Sequence, residues 1–144
     1  MSLTTGRYLI KNEDNVVGRA LAEDLSLQPK RIILLPPDDK TSTPASLNLH
    51  DNEYIIISNG SPTAHIENHI FALLIDRGAA TKWLVQAVPQ HGENAFIITT
   101  AARQYGWSAP GEANEQIGYS RLVVGRSLPP RYSPHQVFQI TKAE

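Results

Sequence analysis

Cysteine is absent from the 144-residue chain. That excludes a disulfide framework, a thiol nucleophile and a thiolate metal site. A surplus of one charge is also lacking: 13 Lys+Arg stand against 14 Asp+Glu, a net charge of -1. Nucleic acids and anionic membranes both select a basic face, so neither is expected as a partner. No apolar run is long enough to span a bilayer. The opening Met1-Ser2-Leu3-Thr4-Thr5-Gly6 has neither the basic start nor the apolar stretch of a secretory leader. The expectation is an intracellular (cytoplasmic) protein, and no motif asks for a cofactor. Asn59-Gly60-Ser61 then reads as a turn rather than a glycosylation sequon.

Hydrophobic residues make up 41% and charged residues 19%, a globular rather than a disordered balance. The length suits one domain over 1–144, with a monomer as the default. Ten prolines and nine glycines are many for a helical bundle and natural for a chain of turns.

The apolar runs are short, β-branched and bounded by turn residues. Tyr8-Leu9-Ile10 ends at Lys11-Asn12, Ile32-Ile33-Leu34-Leu35 at Pro36-Pro37, and Tyr54-Ile55-Ile56-Ile57 at Ser58-Asn59-Gly60. Trp83-Leu84-Val85, Phe96-Ile97-Ile98 and Leu122-Val123-Val124 follow suit, and residues 70–75 read as a strand closed by Asp76-Arg77-Gly78. Many short strands at regular spacing indicate an all-β sandwich or barrel.

A weak repeat decides between them. The aromatic-led triplets at Tyr8, Tyr54 and Phe96 recur 46 and 42 residues apart. Each is followed by a segment with a small or aromatic residue (Val17-Gly18, Thr63-Ala64, Gly106-Trp107). An aliphatic one comes next (Ile32-Ile33-Leu34-Leu35, Phe71-Ala72-Leu73-Leu74, residues 119–124), then an apolar-x-apolar one (Leu47-Asn48-Leu49, Trp83-Leu84-Val85, Phe138-Gln139-Ile140). None of these four-stranded units can bury its apolar face alone, so three must close on a shared core. The result is a β-trefoil of twelve strands, a six-stranded barrel capped by three hairpins. The alternative is an irregular sandwich.

A barrel this small is filled by side chains, which leaves function to the loops. His65-Ile66-Glu67-Asn68-His69 places two histidines four apart, the helical spacing for a shared metal. Extended at about 3.3 Å per residue they would stand roughly 13 Å apart, so no metal is assigned. Gly106-Trp107-Ser108-Ala109-Pro110 fails the nucleophile-elbow pattern at its last position, and no phosphate-binding Gly-rich loop is present; an enzyme is not expected. Sugar binding is a rival on fold grounds. Trp83 and Phe138 sit at core positions, which leaves Trp107, beside Gly106 and near Pro110, as the one aromatic with a plausible, half-buried exposure.

The informative segment joins the second and third strands. Glu23, Asp24, Leu25, Ser26, Leu27 and Gln28 have no alternation of their own and end at Pro29, which pushes Gln28 towards extension. One of the two leucines could fold back as a loop anchor. Otherwise the segment is an exposed, extended, apolar-tipped loop on a rigid scaffold, the form a substrate-like protease inhibitor presents.

At this point the chain resembles the cospin group of mushroom β-trefoil serine protease inhibitors (cnispin-like). The resemblance runs through Gly6-Arg7-Tyr8-Leu9-Ile10, Asn15-Val16-Val17, Leu21-Ala22-Glu23-Asp24, Ser26-Leu27 and Pro29-Lys30-Arg31-Ile32. It continues through Ala64-His65-Ile66-Glu67, Phe71-Ala72-Leu73-Leu74-Ile75, Ala80-Thr81-Lys82-Trp83, Ala87-Val88-Pro89 and Gln136-Val137-Phe138-Gln139-Ile140. It implies a twelve-stranded trefoil, inhibition of trypsin-like serine proteases in defence, and a binding loop between the second and third strands with Pro29 in support. In the trypsin-inhibiting relatives a basic residue stands between the Glu-Asp and Ser-Leu pairs; here that position is Leu25. A leucine suits the apolar pocket of a chymotrypsin-, elastase- or subtilisin-like enzyme better than a pocket ending in a carboxylate. Two alternatives stay open: a lectin-like module, or trypsin inhibition through another basic loop residue, Arg77, Arg103, Arg126 or Arg131.

Overall fold

A computed structural model describes residues 3–20, 22–39 and 43–143. Among them the chain forms twelve strands in three runs of four. The first run is β1 (Gly6–Asn12), β2 (Asn15–Arg19), β3 (Lys30–Leu35) and β4 (Ala45–His50). The second is β5 (Glu53–Ser58), β6 (Ser61–Ile66), β7 (His69–Ala72) and β8 (Leu84–Ala87). The third is β9 (Ala95–Thr99), β10 (Tyr105–Ser108), β11 (Gly118–Arg121) and β12 (Phe138–Lys142).

The pairing is that of a β-trefoil. β1, β4, β5, β8, β9 and β12 close a ring: β1 pairs with β4 and β12, β4 with β5, and β9 with both β8 and β12. The β5–β8 side is closed by Tyr54 and Trp83, which exchange backbone hydrogen bonds of 2.7 and 2.8 Å. The hairpins β2–β3, β6–β7 and β10–β11 form the cap and meet one another. Lys30 pairs with Ala72, Gly118 with His69, and Ile33 with Gln116. Two-residue turns at Asp51-Asn52, Asn59-Gly60 and Glu67-Asn68 have positive φ at both positions. Such primed turns match the twist of the strands they join.

Alternation along the strands builds the core. Tyr8 and Ile10, Ile32 and Leu34, Tyr54 and Ile56, and Phe138 and Ile140 all point inward. Trp83, Trp107 and Phe138 fill the centre edge-to-face, with ring centroids 5.5 and 6.2 Å apart. The Trp83 indole N–H donates to Thr63 Oγ1 at 3.0 Å. Gly106 is required by a close approach: a Cβ there would lie 2.6 Å from the Ile98 carbonyl oxygen.

Three sequence expectations need correction. The strand expected over 70–75 stops at Ala72, because the Leu73 N–H turns aside to the Pro62 carbonyl and the chain leaves the sheet. Leu122-Val123-Val124, read as strand, lies beyond β11; Val123 is 64% exposed and Val124 makes a single bridge to Tyr132. Trp107, expected half-buried, is fully buried in β10, which removes the aromatic that a sugar would have stacked on.

Candidate protease-binding loop

The β2–β3 connection leaves the sheet at Arg19 and returns at Lys30, and both residues hold it. The Arg19 guanidinium grips the Glu23 carboxylate through two bonds, Nε to Oε2 at 3.0 Å and Nη2 to Oε1 at 2.7 Å. It also donates through Nη1 to the Ser58 carbonyl at 3.2 Å, in the second unit. The pair is largely sheltered, with 9% and 20% of the two side chains exposed. Such a planar two-point grip fixes direction as well as distance.

Lys30 is buried at the first position of β3. Strand alternation puts it on the face of Ile32 and Leu34, so its stem runs under the loop and not into water. The ammonium donates to the Asp24 carboxylate, to the Asp24 carbonyl at 3.1 Å and to Ser26 Oγ at 3.2 Å. An ammonium has three protons, and these three acceptors use all of them. Asp24 in turn accepts from the Ser26 N–H at 2.9 Å and from the Ser26 hydroxyl, an Asx turn. The Gln28 N–H donates to Ser26 Oγ at 3.3 Å. Hydrogen bonds from Lys30 and then from Ser26 lower the Asp24 carboxyl to a pKa of about 2. They favour the charged form directly.

Leu25 stands between these anchored neighbours and is fully exposed, at 101% of its reference area; Leu27 is 60% exposed. Neither leucine folds back into the core. Leu27 instead walls a cleft of about 170 Å³ with Pro29, Leu73 and Ile75. On the other side a cleft of about 300 Å³ lies between Ala20, Glu23, Asp24, Pro29 and Lys30. Pro29 is exposed and forms a wall of both.

The loop is not extended as the sequence reading had it. Its backbone bends over Leu25, Ser26, Leu27 and Gln28, around the Asx turn. Arg19 and Lys30 were missed as supporting residues. Lys30 carried a signal, the parity it shares with Ile32 and Leu34; for Arg19 the decisive partner, Ser58, is 39 residues away.

The other candidates fall out differently. His65 and His69 lie on opposite strands of the β6–β7 hairpin, and His65 stacks on Tyr119 with centroids 4.1 Å apart. Among the described residues no cluster of His, Asp and Glu could hold a metal ion.

The profile of the peptidase inhibitor I66 family matches residues 1–142. The chain belongs to this family. A serine protease inhibitor of Lentinula edodes is 54% identical to it over 143 residues, which cover 99% of this chain and 100% of that one. The high-resolution structure of a proteinase inhibitor from Coprinopsis cinerea matches with a TM-score of 0.90 and 36% identity, over 99% of this chain and 100% of that one. SeviL, solved bound to asialo-GM1 saccharide, matches with a TM-score of 0.70 over 98% of this chain and 100% of that one. At 11% identity that likeness shows the shared fold alone. The Lentinula edodes and Coprinopsis cinerea relatives are protease inhibitors, not enzymes.

Proposed function

We propose that this family member inhibits serine proteases in a substrate-like manner through the loop of Glu23, Asp24, Leu25, Ser26, Leu27 and Gln28. Leu25 enters the primary specificity pocket, and the Leu25-Ser26 bond faces the catalytic serine. One observation carries the reading: a wholly exposed leucine stands between two residues, Asp24 and Ser26, that a single buried ammonium holds in place. A loop held before contact loses little freedom on binding, so more of the contact energy appears as affinity.

The leucine selects the enzyme. In an apolar pocket it gains roughly 1.5–3 kcal/mol by leaving water. In a pocket ending in a carboxylate it leaves that charge without a partner, at about 3 kcal/mol or more. Chymotrypsin-, elastase- and subtilisin-like proteases are therefore the targets of this loop. An interface of about 1,600 Å² in total is usual for such complexes.

The test is inhibition of chymotrypsin, elastase and subtilisin by the purified protein, with Leu25→Ala alongside. Inhibition of at least one enzyme, weakened by Leu25→Ala, is the expected result. No inhibition of any of them at micromolar concentration refutes the reading.

A further inference from the structure

β3 starts beside the end of β7. Lys30 pairs with Ala72 and Arg31 with Phe71. One residue further the ladder stops, because Pro29 has no N–H to give and the Leu73 N–H is taken by the Pro62 carbonyl at 2.8 Å. The two segments part there, and the cleft of about 170 Å³ opens between them. Leu27, Gln28 and Pro29 of the β2–β3 loop form one wall; Leu73, Ile75 and Asp76 of the β7–β8 connection form the other.

Both walls are apolar and open to solvent. Leu27 is 60% exposed and Ile75 67% exposed, and Leu73 in the same cleft is buried. With Leu25, three of the eight exposed large apolar side chains among the described residues stand on this loop and its neighbour. Single exposed apolar side chains are ordinary, whereas a contiguous group of them marks a contact surface. Asp76 is the one charged residue of the lining among the described residues.

The Ile75 wall is fixed independently of the loop. The β7–β8 connection is tied near both ends to successive residues of β6, Leu73 to Pro62 and the Thr81 N–H to the Thr63 carbonyl at 3.0 Å. Between the ties the one-turn helix Arg77–Ala79 is closed by the Ala79 N–H on the Asp76 carbonyl at 3.1 Å and the Ala80 N–H on the Arg77 carbonyl at 3.3 Å. A surface held before contact loses little freedom on binding. Its place along the loop is also defined. Leu27 is the second residue after the Leu25-Ser26 bond, so the cleft borders the side that meets the leaving-group half of a protease's substrate groove.

We infer that the start of the β7–β8 connection is a second contact with the same protease molecule, with Ile75 as a specificity-determining residue. Ile75 and Leu27 clasp an apolar side chain on the leaving-group rim of the enzyme. The inference rests on the substrate-like reading of the β2–β3 loop and names a second requirement for its partner. The enzyme is selected twice, by a primary pocket that accepts Leu25 and by an apolar residue on its leaving-group rim. An enzyme with a carboxylate on that rim is disfavoured, because Asp76 lines the same cleft and like charges repel.

Inhibition constants against chymotrypsin, elastase and subtilisin test it on the purified protein, with Ile75→Ala, Ile75→Asp, Leu25→Ala and, as an exposed apolar control on β4, Leu49→Ala. Against the enzyme bound most tightly, Ile75→Ala should weaken inhibition about tenfold and Ile75→Asp about 30-fold or more, since the latter puts a carboxylate where an apolar side chain lodges. Leu49→Ala should inhibit as the parent does, and melting curves certify each fold. Direct contact is read separately. Ile75→Cys gives the cysteine-free chain a single thiol. Saturation with the inhibited enzyme should slow its alkylation by iodoacetamide about tenfold or more, because the core of an interface excludes solvent, and should leave that of Leu49→Cys unchanged. A folded Ile75→Asp variant as potent as the parent overturns the inference, as does an Ile75→Cys thiol alkylated equally fast in the complex. If Leu25→Ala is weakened in those same assays, the Leu25 reading stands without the second contact. A parent that inhibits none of the enzymes overturns both.

Discussion

Replacing Lys30 by methionine removes the ammonium under the β2–β3 loop and leaves the buried stem in place. Methionine has the same unbranched shape and fills the same space, so no cavity opens beneath β3. The Asp24 side chain is 75% exposed and returns to water when its partner goes. Replacing a buried charge by an apolar side chain of like volume is commonly neutral for stability. The fold should therefore melt close to the parent temperature. Binding should suffer, because Leu25 and Ser26 lose the point that orders them. Fixing one residue's backbone costs about 1–2 kcal/mol, and the complex must now fix these two. The Asx turn from Asp24 to the Ser26 N–H survives the substitution, so the lower end applies. A loss of about 2 kcal/mol corresponds to roughly 30-fold in the inhibition constant. The assay pairs that constant against a chymotrypsin-like enzyme with a thermal melt of the free protein. An unchanged constant would refute the argument that Lys30 preorganises the loop. A collapse of the melting temperature would make Lys30 a fold residue instead.

Leu25→Arg should create trypsin inhibition and weaken that of apolar-pocket enzymes. Since Leu25 is fully exposed, stability should move by less than about 0.5 kcal/mol; a folded variant unchanged towards both enzymes counts against Leu25. The Asp24 carboxyl should titrate at about 2 in a carbon-detected NMR experiment. Its folded pKa lies below the ordinary aspartate value of 3.8, so its stabilising effect is fully present above about pH 4 and is lost as pH falls through about 2. A midpoint near 4 would mean that the Lys30 and Ser26 contacts are absent in solution.

Much of the fold was legible because β-branched runs bounded by turns report strands directly, and three aromatic-led triplets report the repeat. What misled were runs with strong strand propensity that find only isolated backbone bonds and no continuous partner strand. Leu122-Val123-Val124 looks more like a strand than β11 does, yet the cap ends at Arg121 and leaves it outside. Trp107 failed for the opposite reason: beside Gly106 and near Pro110 it read as half-buried, when the glycine is there to let β10 pass close to the Ile98 carbonyl. At the loop, the lack of alternation over residues 23–28 announced exposure. Its bends and clamps were hidden because they depend on charged side chains reaching across units, as Arg19 does to the Ser58 carbonyl.

The Lys30 ammonium touches residues on both sides of the Leu25-Ser26 bond, Asp24 before it and Ser26 after it. A protease that severs this bond therefore does not release two free ends. The upstream end stays tied through Asp24 and, by way of Glu23, to Arg19; the downstream end stays tied through Ser26 and runs straight into β3. Both new termini remain beside the catalytic serine, at a local concentration that favours rejoining the chain over separation. The cut molecule should accordingly still inhibit, with cut and intact forms in a measurable equilibrium on the enzyme. A cut form that dissociates and no longer inhibits would contradict this.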